Sequence, residues 1–224
     1  MSTLPDIEFF WDPVCPFAWI TSRWVVTVAR ARDLRVDWRF LSLRLLNEER
    51  DYSELPPGYE EGHTLGLRLL RVAAAVRAEV GPEPMGDLYT AFGTAIWEQP
   101  RRVDDLPSAL RRLGADLEVP AVLSSLGLPV GAAAAADDAR WDDVLRAETR
   151  LTLERTGGDT GTPVLTFGPP DGPSFFGPVL SDVPPDDVAL RLWDAVTTLA
   201  THRPFAELKR SAREVPRLPA LGTA

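Results

Sequence analysis

The sequence predicts an α/β fold in which a β-α-β unit near the start and a β-β-α unit near the end enclose an all-helical segment. Strand-like apolar runs occur toward the two ends of the chain, whereas the middle carries helical patterns. The order strand, helix, strand favours a parallel pair joined by a right-handed crossover. With 224 residues, of which 45% are hydrophobic and 25% charged, the chain can bury a sizeable core, which argues against disorder.

In the first unit, a strand and a helix meet at a cysteine. The run IEFFWD at residues 7–12 is rich in aromatic and β-branched residues and ends at Asp12 and Pro13, which predicts a buried strand. Apolar residues then recur at near-helical spacing, with arginines toward the end, so we expect a helix that opens at Cys15 and Pro16. The run VDWRFLSL at residues 36–43, in which apolar residues alternate from Val36, predicts the second strand.

The middle of the chain carries helical patterns without a convincing strand. These patterns cover residues 61–81, 86–99, 105–115, 119–127 and 137–158. We therefore expect residues 47–157 to form a helical domain inserted into a domain made of residues 1–46 and 158–224.

The last part of the chain returns to mixed structure. TPVLTF at residues 162–167 and PSFFG at 173–177 predict two strands of a hairpin, and a final helix follows from about Pro185 to Thr201. A β-α-β unit, a helical insertion and a β-β-α unit together form the thioredoxin-like arrangement.

The charge of the chain restricts its partners. A net charge of −9 repels phosphate backbones and anionic lipids, and we find no cluster of lysine and arginine that would reverse this locally. We therefore expect neither a nucleic-acid nor a membrane partner. The first residues lack a basic region followed by a long apolar one, and no stretch reaches about eighteen apolar residues. This pattern indicates a soluble, cytoplasmic protein.

Cys15 is the single cysteine, which excludes an internal disulfide and a zinc site built on several thiolates. Neither metal-ligand spacing nor a glycine-rich phosphate loop is found, so we expect no metal, nucleotide or flavin. A sulfur at the start of a helix lies near unpaired N–H groups and the positive end of the helix dipole, which lowers the pKa of a thiol. An inert, buried cysteine is the alternative. Pro16 is suited to the first turn of a helix, which favours a reactive cysteine at a helix start over an inert one.

Five segments carry a resemblance to a known family. They are FFWDPVCPFAWITSRWV, SLRLLNE, GTPVLTF, FFGPVLSDVP and LWDAVTTLATHRPFAELKR. Together they resemble the DsbA-like thioredoxin-fold family, most closely its actinobacterial branch, the mycothiol-dependent nitroreductases, also described as mycoredoxin-like. The resemblance spans nearly the whole chain. It implies a thiol oxidoreductase that uses mycothiol, a low-molecular-weight thiol, as cosubstrate for a small-molecule substrate. The alanine- and arginine-rich composition fits a high-GC actinobacterial source.

The family motif is Cys-Pro-Trp-Cys, which this sequence matches only in part. The resemblance makes Cys15 the nucleophile, retains Pro16 and places Phe17 at the aromatic position of the substrate cleft. Ala18 stands where the resolving cysteine would be. A second cysteine releases a mixed disulfide by closing an internal one, so Ala18 implies monothiol chemistry in which a second small thiol clears Cys15.

Four further residues match the family's substrate cleft. Thr162 and Pro163 match its cis-proline element, whose backbone can hydrogen-bond an extended thiol substrate as an added strand would. The alternative is an ordinary turn proline. Asn47 and Tyr59 match polar residues around the cleft. Asn47 could equally cap a helix starting at Glu48, and Tyr59, in a loop before the first inserted helix, could be an ordinary surface anchor.

Several other side chains receive structural roles from their positions. Trp11, Trp19 and Trp24 have the spacing of core residues, so we assign them to packing. Asp12 is expected to turn or cap the chain. His63 and His202 lie in no motif, which favours packing or solvated roles over a Cys-His pair.

Two other functions remain open. The missing second cysteine favours a non-redox, thiol-dependent isomerase or transferase resembling 2-hydroxychromene-2-carboxylate isomerase. A binding protein with a vestigial cysteine is the third possibility. Because relatives often pair, a homodimer is also possible, although no sequence pattern requires one.

Overall fold

The structure, a computed structural model, describes residues 4–100, 109, 111–210 and 214–223. Its four-stranded sheet has the order β2-β1-β3-β4. The strands are β1 (Ile7–Trp11), β2 (Val36–Phe40), β3 (Val164–Phe167) and β4 (Ser174–Phe176). β1 runs parallel to β2 and antiparallel to β3, and β3 and β4 form the antiparallel hairpin. This topology confirms the predicted α/β, thioredoxin-like fold.

Seven helices accompany the sheet in the described part of the chain. They are α1 (Pro16–Arg32), α2 (Leu43–Leu46), α3 (Tyr59–Val80), α4 (Met85–Trp97), α5 (Val119–Ser125), α6 (Asp142–Thr156) and α7 (Asp186–Thr201). Short 3₁₀ segments occur at Tyr52–Glu54, Val130–Asp137, Ala139–Trp141 and Pro219–Leu221. The helix predicted over residues 105–115 lies largely outside the described residues. Among the helices described, none is both long and apolar enough to cross a membrane.

The core lies between the sheet, α1 and the helices that follow β2. All five residues of β1 are buried, because this central strand is covered on both faces. Trp11, Trp19 and Trp24 are buried as predicted, at 0%, 2% and 0% exposure. The ring of Trp11 stacks on that of Tyr89 in α4, with centroids 4.3 Å apart. This contact joins the sheet directly to the helical segment.

A buried ion-pair network also attaches the helical segment to the sheet. Glu148 of α6 pairs with Arg77 of α3 at 2.7 Å and with Arg39 of β2 at 3.3 Å. The same carboxylate accepts a hydrogen bond from the backbone N–H of Phe40 at 2.8 Å. Arg39 in turn pairs with Glu8 of β1 at 3.0 Å. Since these charges are largely removed from water, each depends on its partners.

Candidate active site around Cys15

The chain leaves β1 at Trp11, makes one turn and enters α1, and this turn presents the sulfur of Cys15. Cys15 is the N-cap of α1, in extended conformation, and Pro16 is the first helical residue. The backbone N–H of Ala18 donates to Sγ at 3.4 Å, and that of Trp19 donates to the carbonyl of Cys15 at 3.0 Å. The predicted helix start is therefore confirmed, and the sulfur takes the capping position usually held by a side-chain oxygen.

Cys15 also faces the segment that precedes β3. The thiol donates to the backbone carbonyl of Thr162 at 3.3 Å, and the Thr162–Pro163 peptide bond is cis. The hydroxyl of Thr162 donates to the carbonyl of Phe10 at 3.1 Å, which holds this segment against β1. The sulfur therefore has a donor on one side and an acceptor on the other.

The sulfur is less accessible than the sequence predicts. Cys15 is 7% exposed, and the facing Thr162 is 5% exposed. The carbonyl of Thr162 covers the thiol by accepting its hydrogen bond. Because thiol exchange requires access to the sulfur, this burial favours a small partner over a folded protein.

A buried carboxylate lies beneath the turn. Asp12 is 0% exposed, and its Oδ1 and Oδ2 accept hydrogen bonds from the backbone N–H of Val14 at 3.0 Å and of Leu43 at 2.8 Å. Burial raises the pKa of Asp12 to about 7, although both N–H donors oppose the shift. The predicted turn role is confirmed by the bond to Val14. The bond to Leu43 at the start of α2 is an additional role that the sequence did not indicate.

The helical segment packs directly on this turn. In α3, a Cβ placed on Gly66 would lie 2.5 Å from Asp12 Oδ1 and 2.8 Å from a methyl of Val14. At the end of α4, the indole N–H of Trp97 donates to the carbonyl of Pro13 at 2.9 Å. The turn is thus held by α3 on one side and by α4 on the other.

The predicted site residues fall on three parts of the fold. The turn and first helical turn hold Cys15, Pro16 and Phe17, of which Phe17 is half-buried. Thr162 and Pro163 lie opposite, as the thiol contact shows.

Asn47 and Tyr59 lie on neighbouring helices, where the structure contradicts the alternative given for Asn47 and the loop expected around Tyr59. Asn47 does not begin a helix at Glu48. It is the C-cap of α2, and its side-chain amide donates to the carbonyl of Leu43 at 2.7 Å. The reason is that Ser42 accepts from the N–H of Leu45 and starts α2 earlier. Tyr59 is the first residue of α3 rather than part of a loop.

Comparisons with known proteins place the chain in a family. A family model described as "Rv2466c-like: Mycothiol-dependent nitroreductase Rv2466c" matches residues 14–210. The uncharacterized protein Rv2286c of Mycobacterium tuberculosis is 31% identical over 207 residues, which are 92% of this chain and 82% of that protein.

A solved structure shares the fold. A probable DsbA oxidoreductase, SCO1869 from Streptomyces coelicolor, superposes with a TM-score of 0.51 at 16% identity, covering 93% of this chain and 92% of that one. The cytosolic disulfide reductase DsbM from Pseudomonas aeruginosa gives a TM-score of 0.49 at 19% identity over 87% of this chain and 99% of that one.

Proposed function

The chain belongs to the Rv2466c-like family of mycothiol-dependent nitroreductases, and from that premise we propose that it is an oxidoreductase with Cys15 as its single nucleophile. Mycothiol is the cosubstrate, and the substrate is an electron-poor small molecule or a mixed disulfide. One observation carries the proposal: Sγ of Cys15 lies at the start of α1, between the N–H of Ala18 and the carbonyl of Thr162. The N–H stabilises the thiolate when the proton leaves.

With a mixed disulfide as substrate, the reaction is two thiol exchanges. The Cys15 thiolate attacks the mycothiol sulfur, forms a bond to it and expels the other thiol as thiolate. A second mycothiol thiolate then attacks the mycothiol sulfur of the adduct, so that mycothiol disulfide leaves and the Cys15 thiolate is restored. Ala18 cannot perform this second attack, which is why the external thiol is needed.

With an electron-poor acceptor, two thiols supply two electrons. The Cys15 thiolate and one mycothiol thiol become a mixed disulfide, while the acceptor gains two electrons and two protons. One proton comes from the mycothiol thiol and the other from solvent. A second mycothiol then restores Cys15 as in the first reaction.

The remaining predicted residues bind the cosubstrate and substrate in this proposal. In the mixed disulfide, Cys15 has no proton to donate, so the carbonyl of Thr162 can accept a hydrogen bond from the cosubstrate instead. Pro16, Phe17 and Pro163 line the thiol side of the cleft. Asn47 and Tyr59 belong to the inserted domain, residues 47–157, which supplies the opposite wall.

Intact-mass measurement tests the single-nucleophile mechanism. After incubation with mycothiol disulfide, we expect one mycothiol adduct on the wild type and none on Cys15→Ser. The adduct should persist until free mycothiol is added.

The matched variant Ala18→Cys provides the resolving thiol that the chain lacks. It should release mycothiol without added thiol and end as an internal disulfide, because position 18 is adjacent to Sγ. A wild type that gains no adduct, or that releases it unaided, would contradict the mechanism.

The second candidate is a non-redox isomerase or transferase that binds a thiol cofactor, and the observation in its favour is Ala18. Such an enzyme uses the thiol of the cofactor itself. Cys15→Ser would then retain turnover, whereas the oxidoreductase proposed above would lose it.

A further inference from the structure

A cluster of aromatic and charged side chains lies around the start of α3, and Tyr59 is the one member that already has a role in the proposed function. The hydroxyl of Tyr52 and Nδ1 of His63 are 2.9 Å apart. The ring of Tyr59 lies edge-on to that of His63, with centroids 5.7 Å apart. The guanidinium of Arg44 lies 4.6 Å from the ring centre of Tyr52 and pairs with Glu60 at 3.4 Å.

Two connections place this cluster beside the turn that holds Cys15. His63 precedes Gly66 by three residues, about 4.5 Å along α3, and residues so spaced share a helix face. Gly66 is the residue that packs against Asp12 and Val14. From the other side, Arg44 follows Leu43, whose N–H donates to the carboxylate of Asp12. His63 therefore lies on the face of α3 that packs against the turn holding Cys15.

The imidazole of His63 can pass a proton and remain neutral, because one ring nitrogen gains a proton as the other loses one. Burial and, to a smaller extent, the nearby charge of Arg44 lower the pKa of His63 to about 4, so the imidazole is neutral at pH 7. For Tyr52 the shift is in the opposite direction: burial raises the pKa of the phenol, and the charges of Glu60 and Asp12 raise it as well. Contact with Arg44 opposes that shift. The phenol is therefore protonated, and in the tautomer that carries the single imidazole proton on Nε2, Nδ1 accepts a hydrogen bond from it.

We propose that His63 donates a proton from Nε2 to the acceptor as it is reduced, and that Tyr52 replaces this proton through Nδ1. This role rests on the oxidoreductase function proposed above and supplies the proton that was there assigned to solvent. As the acceptor oxygen or nitrogen gains electrons, it takes the Nε2 proton while Nδ1 takes the phenolic proton of Tyr52. The phenolate, next to Arg44, recovers a proton from water. The substrate class is thus one that must be protonated on reduction, such as a quinone or a nitroaromatic.

Two substrates of the same enzyme separate this role from the thiol chemistry. Reduction of 1,4-naphthoquinone by mycothiol requires proton delivery to oxygen. Exchange with a mixed disulfide of mycothiol and a nitrothiophenol does not, because its leaving group departs as a thiolate. The rates of both reactions are measured for the wild type, Tyr52→Phe and His63→Gln. His202→Gln, which changes an exposed histidine at the end of α7, is the matched control.

The ratio of quinone kcat to disulfide-exchange rate should fall at least about tenfold in Tyr52→Phe and His63→Gln, because general acid catalysis contributes about 10²–10⁴-fold. KM for the quinone should change little, and His202→Gln should keep the wild-type ratio. An equal fall in both reactions, or no fall in either, overturns the relay while leaving the Cys15 mechanism in place. A wild type without quinone turnover overturns the relay together with the acceptor-reducing branch of the proposed function.

Nitrogen NMR tests the same arrangement without activity. In the wild type at pH 7, His63 should show a proton on Nε2 and none on Nδ1, and Tyr52→Phe should shift the Nδ1 resonance. A proton on Nδ1 in the wild type overturns the relay directly, because Tyr52 could not then donate to it.

Discussion

The contact between Gly66 and Asp12 gives the sharpest test of how the helical segment supports the thiol turn. A Cβ at Gly66 would lie 2.5 Å from Asp12 Oδ1 and 2.8 Å from a Val14 methyl, both closer than van der Waals contact allows. Gly62 lies one turn earlier in the same helix, and a Cβ there would have its nearest neighbour, a Leu113 methyl, at 3.9 Å. Alanine at these two positions differs only in what the new methyl group meets.

At Gly66 the gain in helix propensity from alanine opposes the cost of the new contacts. Alanine in place of glycine inside a helix stabilises by about 0.5–1 kcal/mol. Overpacking costs about 1–3 kcal/mol, and weakening a hydrogen bond to a charged group costs about 1.5–3 kcal/mol. Because Asp12 is fully buried and held by two N–H groups, its carboxylate has little room to move. We therefore expect Gly66→Ala to lose about 2 kcal/mol, and Gly62→Ala to gain about 0.5–1 kcal/mol.

Urea and thermal unfolding measure both variants. For a chain of this size about 2–4 °C of Tm corresponds to 1 kcal/mol, so Tm should fall by roughly 4–8 °C in Gly66→Ala and rise slightly in Gly62→Ala. Iodoacetamide alkylation of Cys15 should change rate in Gly66→Ala, since Val14 and Asp12 form the turn that carries the thiol. If the two variants are equally stable, the tight packing of α3 on Asp12 is refuted.

Two more predictions concern buried charges. Asp12→Asn should remove a pH dependence of stability. The pKa of Asp12 is raised from 3.8 to about 7 in the folded protein, so between these values the folded state holds a proton that the unfolded state has lost. The free energy of unfolding of the wild type should therefore fall by up to about 4 kcal/mol relative to the variant as pH rises from about 4 to about 7. Parallel stability curves for the two proteins, from urea unfolding across this range, would contradict that shift. Glu148→Ala should cost about 3–5 kcal/mol, because Arg77 and Arg39 would keep buried charges without their shared carboxylate. Asp137→Ala is the control, because it breaks an ion pair with Arg68 in which 76% of the Asp137 side chain is exposed. It should cost about 0–1 kcal/mol in the same unfolding assay. Similar losses in the two variants would argue against a buried network.

The parts of the site that lie close together in the sequence could be predicted. A strand that runs into a cysteine and a proline determines where α1 starts, because the capping group and the first helical residue are neighbours in the chain. The core positions of Trp11, Trp19 and Trp24 follow from strand and helix periods in the same way. The absence of a resolving cysteine at Ala18 needs no structure at all.

The features of the site that the sequence did not predict depend on contacts with residues elsewhere in the chain. Asn47 was compatible with starting a helix, yet Ser42 starts α2 first, and a single sequence does not indicate which of two capping residues is used. The hydrogen bond from Leu43 to Asp12 spans thirty-one positions and has no local pattern. His63 lies in no motif, and its partner Tyr52 is visible only once the chain has folded.

The sequence by itself determined the order of the main strands and helices, the single cysteine and its place at a helix start, because these depend on short-range periodicity and on the chemistry of single residues. Only the tertiary structure decided how much of the sulfur is covered, which carbonyl faces it and which helices hold its turn. Those features come from packing between segments about 30 to 150 residues apart, where the favourable contacts of one arrangement outweigh local preference.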